Sequence, residues 1–190
     1  MTYIKTSIQK KTGAPTAKSD RILIIDVRDI LVDIVREFGN TSASGSLILN
    51  EGAKAVSIQA SRPSISAGYE NSGELDARVF ADKVEFDYPG DSAACSNLIE
   101  AIANIGVVVI IQKCGGGTKI YGSKCNPLLL NVEPTDNHEA CRVHFSMSQE
   151  MGDAYVPRTY TGAIPDVWDD YGNWIGALPW NPDEKWLDFN

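Results

Sequence analysis

The chain has 190 residues, of which 43% are hydrophobic, and its net charge is −8. This length suits one packed domain with extensions rather than two domains. The acidic balance disfavours nucleic acid as a specifically bound partner, because phosphate contacts need a clustered basic surface. The sequence contains no run of 18 apolar residues, so it predicts no transmembrane helix. Residues 1–20 lack the apolar segment of a secretory signal.

The charge is unevenly distributed along the chain. Residues 1–20 carry +3, residues 21–152 carry −6 and residues 153–190 carry −5. Opposite charges at the two ends suit head-to-tail contact between copies, although two solvated termini would produce the same pattern. We therefore divide the chain into a basic N-terminal arm (1–20), a body (21–152) and an acidic C-terminal arm (153–190).

The first half of the body contains short strand patterns. The apolar run "RILIIDV" (21–27) predicts a strand buried on both faces, whereas residues 28–38 are ambiguous between helix and strand. The segment "LILNEGAKAVSIQAS", which begins at Leu47, predicts two strands joined by a turn. A long loop is expected at 62–76, followed by a half-buried strand in "ARVFADKVEFDYPG".

One α-helix is predicted over residues 91–105. Asp91 or Ser92 can cap its N-terminus, and apolar residues recur at steps of three and four along it. Gly106 is placed to end it. This is the one segment of the chain with a clear helical period.

Four further strand patterns follow the helix. They are "VVVIIQK" (107–113), the segment "KIYGSKC" after a glycine turn at 115–117, residues 127–133 and residues 141–148. In the last strand the residues expected to face inward are Cys141, Val143, Phe145 and Met147. No regular element is predicted after Gly152. The whole pattern predicts a mainly β fold, a sandwich of about seven or eight mostly antiparallel strands with one flanking α-helix and extended terminal arms.

Motifs that would carry chemistry are weak. The segment "KCGGGTK" (113–119) runs from strand to strand and ends in Thr118-Lys119, so it favours a hairpin turn over a phosphate-binding loop. The best metal set would be Asp136, His138, Cys141 and His144. In a strand, however, Cys141 and His144 face opposite sides.

The remaining candidates are weaker still. The four cysteines form no CxxC pair, and the acidic pairs at 169–170 and 183–184 favour solvated carboxylates over a cation site. We predict no catalytic residue, no cofactor and no metal, and therefore a protein that is not an enzyme.

Several segments together resemble a known group of proteins. They are "YIKTSIQKKTGAPTAKSDRILIIDVRDI", "LILNEGAKAVSIQAS", "YPGDSAACSNLIEAIANIGVVVIIQKCGGGTKIYGSKCNPLLLNVE" and "RVHFSMSQE". Over roughly residues 2–150, the order of these segments and their local sequences resemble those of virion structural proteins of tailed phages infecting Bacteroidota, crAss-like phages included. The order is similar to that of tail-tube and connector-ring subunits.

The resemblance implies a structural subunit of a virion ring, near the portal or in the tail barrel. Its partners would be copies of itself and the adjacent portal, ring or tail proteins, with no membrane involved. Such a protein would be made in the host cytoplasm and end in the virion. DNA would pass through the ring without specific binding, which suits an acidic conduit.

The C-terminal arm holds all four tryptophans, at six-residue intervals: Trp168, Trp174, Trp180 and Trp186. An even spacing places all four rings on one side of an extended chain. We expect them, with Lys10 and Lys11 of the basic arm, to contact neighbouring subunits in a ring. A chain ending at Gly152 would then fold but assemble poorly.

Two alternatives for the arm remain open. It can fold back over its own body as a belt. Alternatively, its tryptophans, together with Tyr155, Tyr160 and Tyr171, can form the aromatic platform of a glycan-binding module.

Overall fold

The apolar runs of the sequence become the central strands of a β-sandwich. The computed structural model describes residues 17–36, 42–43, 45–74, 76–114, 116–138 and 140–168. The strands in this part of the chain are β1 (Lys18–Asp26), β2 (Ile30–Val32), β3 (Ser42–Ala43), β4 (Ile48–Leu49), β5 (Ala55–Gln59), β6 (Ser66–Ser72), β7 (Val79–Pro89), β8 (Val107–Lys113), β9 (Thr118–Tyr121), β10 (Leu129–Asp136), β11 (Cys141–Ser148), β12 (Arg158–Tyr160) and β13 (Val167–Trp168). The helix α1 spans Ala93–Ile102, and two short 3-10 turns span Val27–Asp29 and Arg62–Ser64.

A seven-stranded sheet forms the middle layer, in the order β13-β5-β1-β8-β9-β12-β3. Its centre is the antiparallel pair of β1 and β8, in which Ile22 lies opposite Ile111 and Ile25 opposite Val108. Side chains on both faces of this pair are buried. Burial on both faces explains why these two strands are continuous apolar runs rather than alternating ones.

A four-stranded antiparallel sheet, in the order β10-β11-β7-β6, packs on one face of the middle layer. Its strands alternate in the way a half-buried sheet requires. Phe86 of β7 and Phe145 of β11 are directly paired, fully buried and stacked with their ring centroids 5.0 Å apart. These two rings are the largest fully buried side chains of the inter-sheet core.

The opposite face of the middle layer is covered by shorter segments. Ile30 and Ile34 pack there with Leu23 and Ile25 of β1, and Tyr160 of β12 completes this second core. The β2–β4 ribbon lies in this layer, with Ile30 opposite Leu49. The seven-stranded sheet is therefore sandwiched between two apolar layers.

Helix α1 connects β7 of one sheet to β8 of the other. The Ser92 side chain caps it by accepting a hydrogen bond of 3.1 Å from the Cys95 N–H. Cys95 and Ile102 enter the inter-sheet core, while Leu98 and Ile99 pack against its border. The amphipathic pattern of the sequence thus orients the helix toward the sandwich.

The mainly β class, with antiparallel sheets and one α-helix among the described residues, is confirmed. Strands β8 and β11 have the predicted bounds, and the glycine turn joins β8 to β9 as a hairpin. The expected number of strands was too low. The additional strands are short ones and those in segments read as loop or tail.

Three local expectations were wrong. The segment from Leu47 does form two strands, but β4 pairs with β2 and β5 pairs with β1, so the two do not form a hairpin. The expected loop at 62–76 contains β6, which pairs with β7 along its whole length. Cys141 lies on the same face of β11 as Val143 and Phe145, but it is exposed rather than buried there, because it lies at the very start of the strand.

Regular structure also continues beyond Gly152. Strand β12 pairs with β9 and β3, and β13 pairs with β5. Tyr160 is buried, and its hydroxyl accepts a hydrogen bond from the Leu47 N–H and donates one to the Ala163 carbonyl. A chain cut at Gly152 would lose these contacts, so a cut that spares the sheets belongs after Trp168.

We expect the stacked phenylalanines to contribute strongly to the free energy of unfolding. Phe145→Ala should lower the free energy of unfolding by about 3–5 kcal/mol, because it leaves a cavity between the two sheets. Ser146→Ala, next in the chain but on the solvent face, should change it by less than about 0.5 kcal/mol. Urea unfolding followed by circular dichroism measures both, and similar values for the two variants would contradict this core assignment.

Candidate functional site

The outer face of the four-stranded sheet is a polar surface that the strand pattern creates. It carries four carboxylates and two permanently cationic side chains: Glu70, Glu85, Asp87, Glu133, Lys83 and Arg142. These side chains face solvent because their neighbours along each strand fill the inter-sheet core. The face is therefore slightly acidic.

Ion pairs cross this face between strands. Asp87 of β7 accepts from Arg142 Nη1 at 3.1 Å and lies 2.6 Å from His144 Nδ1. Lys83 lies 3.0 Å from Glu85 and 3.5 Å from Glu70 on the edge strand. Partly exposed pairs of this kind contribute little stability, so they set the charge pattern of the face rather than hold the fold.

Both edges of this sheet are long. Strand β6 contributes seven residues at one edge and β10 contributes eight at the other. Within the described ranges, neither strand has a partner strand on its outer side. Each edge therefore presents a row of backbone N–H and C=O groups that a further strand could pair with.

A buried polar junction joins the two sheets at Gly122. Asp82 of β7 accepts a hydrogen bond of 2.8 Å from the Gly122 N–H, and Arg36 Nη2 donates one of 2.5 Å to the Gly122 carbonyl. Arg36 Nη2 is 3.8 Å from Asp82 and Arg36 Nη1 is 3.5 Å from Asp153. Asp82 and the Arg36 side chain are both almost fully buried.

This junction is only partly satisfied. Asp82 Oδ1 and Arg36 Nε are buried and have no hydrogen-bond partner among the described residues. Burial raises the pKa of the Asp82 carboxyl, with Asp153 adding to the rise, while the Gly122 N–H, Arg36 and Lys119 oppose it. The same burial, with the Asp82 charge nearby, raises the pKa of Tyr121 to about 12. Its side chains hydrogen-bond both the N–H and the carbonyl of Gly122, so we assign the junction a structural role.

A basic cluster lies at the end of the middle sheet where β1 begins and β8 ends. It consists of Lys18, Lys113 and Lys119, which we call the lysine cluster. Lys18 lies opposite Lys113 in the β1–β8 ladder, and Lys119 follows on β9. All three are half-buried on the side that faces the four-stranded sheet. Burial, and then the charge of Lys113, lowers the pKa of Lys18 and of Lys119, although Asp82 partly offsets this for Lys119.

Of the predicted interface residues, only Trp168 is among the described residues. Trp168 ends β13, whose backbone pairs with β5 of the same chain. Lys10, Lys11, Trp174, Trp180 and Trp186 lie outside the described residues. The candidate metal set is not brought together, since among the described residues no three His, Cys, Asp or Glu side chains are grouped to hold an ion.

Sequence reasoning missed Asp82 and Arg36. A signal for Asp82 was present, because it occupies an inward-facing position between Phe80 and Val84 in a strand that alternates strictly. An aspartate at a core position must find hydrogen-bond donors. Nothing comparable marked Arg36, whose partners are 86 and 117 residues away.

The raised pKa of Asp82 predicts a pH dependence of stability. Because the folded-state pKa exceeds the ordinary value of 3.8, the folded chain binds more protons than the unfolded chain as pH rises through that window. The free energy of unfolding should therefore fall from about pH 4 upward until Asp82 is fully ionised. Asp82→Asn keeps an acceptor for the Gly122 N–H and does not titrate, so its curve should be flatter.

Urea unfolding between about pH 4 and pH 7 compares the two proteins. Glu51→Gln changes an exposed carboxylate in the turn before β5, so it is the control and should leave the slope of wild type unchanged. Parallel curves for wild type and Asp82→Asn would show that the junction does not titrate in this way.

No helix in the described part of the chain has the length and apolar character needed to cross a bilayer. Comparisons of the chain with protein-family models, with curated protein sequences and with solved structures find no significant match.

Proposed function

We propose that this chain is a structural subunit that assembles head-to-tail into a ring. The observation that carries the proposal is the four-stranded sheet with two long open edges and one apolar face already covered. Such a sheet can extend from copy to copy without exposing new apolar surface. The ring is proposed to serve as a conduit in a phage virion, next to the portal or in the tail.

The β6 edge lacks most of the features that normally prevent strand pairing, since Glu70 is its one charged residue. Its sequence, Ser66–Ser72, contains no proline and no lysine, and most of its residues are exposed. Monomeric proteins usually protect such an edge with charge, proline or a bulge. The β10 edge differs, since it contains Pro134. An unprotected edge is expected where pairing with a partner is part of the function.

The two edges are different surfaces, so contact between them is heterologous. Placing β6 of one copy beside β10 of the next repeats the same contact at every step and closes a ring when the rotation permits. The four strands of each copy would then continue into a closed barrel, which removes the open edges altogether.

The polar face of the sheet suits the inside of such a ring. Its four carboxylates outnumber its two permanent cations, and the large buried apolar residues of β7 and β11 face away from it into the sandwich. An acidic lining repels the phosphate backbone and lets DNA pass without being bound. We therefore propose this face as the lumen, with other copies of the chain and adjacent portal, ring or tail proteins as partners.

The virion setting rests on the resemblance of residues 2–150 to ring and tail subunits of Bacteroidota phages. The glycan-binding alternative gains no support from the aromatic residues that are described. Tyr160 is buried with its hydroxyl engaged, so it offers no ring face to a sugar.

Proline substitutions in β6 test the edge directly. Backbone N–H groups of an edge strand point alternately toward the neighbouring strand and toward the open side. Of Glu70→Pro and Asn71→Pro, one therefore removes an N–H bonded to β7 and the other removes an open one. The variant that keeps the thermal stability of wild type should lose ring assembly, measured by mass photometry and negative-stain imaging.

Glu100→Lys on the exposed side of α1 is the control and should assemble like wild type. If the stable proline variant forms the same rings as wild type, the β6 edge is not the assembly surface. If purified wild type forms no ring either alone or with its virion neighbours, the proposed function itself fails.

A further inference from the structure

The lysine cluster brings three positive charges together, and the charge of the buried Asp82 offsets only part of this at Lys119. No carboxylate of the described residues lies within ion-pair distance of Lys18, Lys113 or Lys119. The Lys18 ammonium donates a 2.6 Å hydrogen bond to the Ile65 carbonyl, which draws it toward the gap between the sheets. Adjacent, half-buried like charges repel each other, so this surface favours an anionic ligand.

The turn next to the cluster leaves room for such a ligand. Gly116 and Gly117 connect β8 to β9 beside Lys113, both with positive φ, and a Cβ at either position would meet nothing within 4 Å. The Lys113 N–H and carbonyl are used within this turn, by Gly117 and Gly116. The side chain of Lys113 is therefore the group that remains for a ligand.

Strand β13 runs toward the end of the sheet at which the lysine cluster lies. β13 runs parallel to β5, with Val167 beside Ala55 and Trp168 beside Val56. Continuing that direction leads to Gln59, which pairs with Arg21, three residues from Lys18. The outer side of β5 from Ser57 to Gln59 has no partner strand among the described residues.

The segment that follows β13 has the complementary charge. Residues 169–190 contain five carboxylate side chains and one lysine, a net charge of −4. Lys113 is on the third strand from β13, about 14 Å away across the sheet. Asp183 and Glu184 follow Trp168 by 15 and 16 residues, which is up to about 50 Å of extended chain. The segment after Trp168 is therefore long enough to reach Lys113 of the same molecule.

We propose that residues 169–190 dock on the lysine cluster of their own chain, with Asp183 and Glu184 facing Lys113 and its neighbours. This binding site for an acidic peptide segment goes beyond ring assembly, which uses the edges of the other sheet. In this arrangement the arm packs on its own subunit. The sequence left this possibility open beside contact with neighbouring subunits. The tryptophans between the acidic pairs then lie against the body rather than on a neighbour.

Tryptophan fluorescence of the full-length protein reports on this docking, because every tryptophan lies in residues 168–190. Lys113→Glu should shift the emission to longer wavelength as the rings become hydrated. Arg78→Glu reverses an exposed positive charge just before β7 of the other sheet and should cause no shift. Raising the salt concentration to about 1 M, where charges are screened beyond about 3 Å, should shift wild type in the same direction.

Charge reversal of the partner gives the decisive comparison. Asp183→Lys with Glu184→Lys should shift the emission as Lys113→Glu does, and combining them with Lys113→Glu should restore it. The wild-type emission should not depend on protein concentration, because the contact lies within one chain. Circular dichroism and thermal melting confirm that each variant remains folded.

Three results would overturn the proposal. They are an unchanged emission in folded Lys113→Glu, an equal shift in the Arg78→Glu control, and an emission that depends on concentration, as expected for an arm donated by a second copy. In a separate arm, fluorescence anisotropy of a labelled duplex DNA measures phosphate binding. Loss of DNA binding in Lys113→Glu without an emission shift would assign the cluster to phosphate instead. Ring assembly by mass photometry is read separately, so intact rings with an undocked arm would reject only this inference.

Discussion

The fold depends on how Gly122 is held. Its φ of +76° is a backbone conformation that other residues rarely adopt, and a Cβ there would lie 3.2 Å from the Val107 carbonyl oxygen. At this residue the chain leaves the middle sheet for β10 of the four-stranded sheet. Asp82 from that sheet holds its N–H, and Arg36 from the segment on the far side of the middle sheet holds its carbonyl. One residue thus connects all three layers.

Burying the charges of this junction is costly, and the cost is only partly offset. Arg36 has two carboxylates within 4 Å, but one oxygen of Asp82 and one nitrogen of Arg36 have no hydrogen-bond partner among the residues that the structure describes. Buried ion pairs often contribute little net stability and instead specify one arrangement. Here the arrangement fixes the relative placement of the two sheets. The outer face and both edges of the four-stranded sheet remain available, and those are the surfaces that the proposed ring uses.

The two charged surfaces of the molecule differ in whether their cationic side chains have carboxylate partners. On the outer face of the four-stranded sheet, Lys83 and Arg142 each have carboxylate partners. At the end of the middle sheet the lysine cluster has no carboxylate within ion-pair distance in the described part of the chain, and the buried Asp82 acts only weakly on Lys119. A balanced, slightly acidic face suits a passage for DNA, whereas an unbalanced basic one suits a bound anion. The separation of these surfaces onto two sheets lets assembly and arm docking be tested independently.

The sequence alone determined the class of the fold and several of its elements. The period of two in β7 and β11, the apolar runs of β1 and β8, and the helical stripe of α1 are local patterns, because each reports which faces of one element are buried. Strand pairing was decided only by tertiary structure. Leu47 to Ser61 reads as a hairpin, yet β4 finds its partner in β2, and the polar strand β6 exists because β7 offers it a ladder of backbone hydrogen bonds. The Asp82–Arg36–Gly122 junction and the lysine cluster likewise join residues distant in sequence. Such contacts depend on how the layers stack, and no local pattern records that.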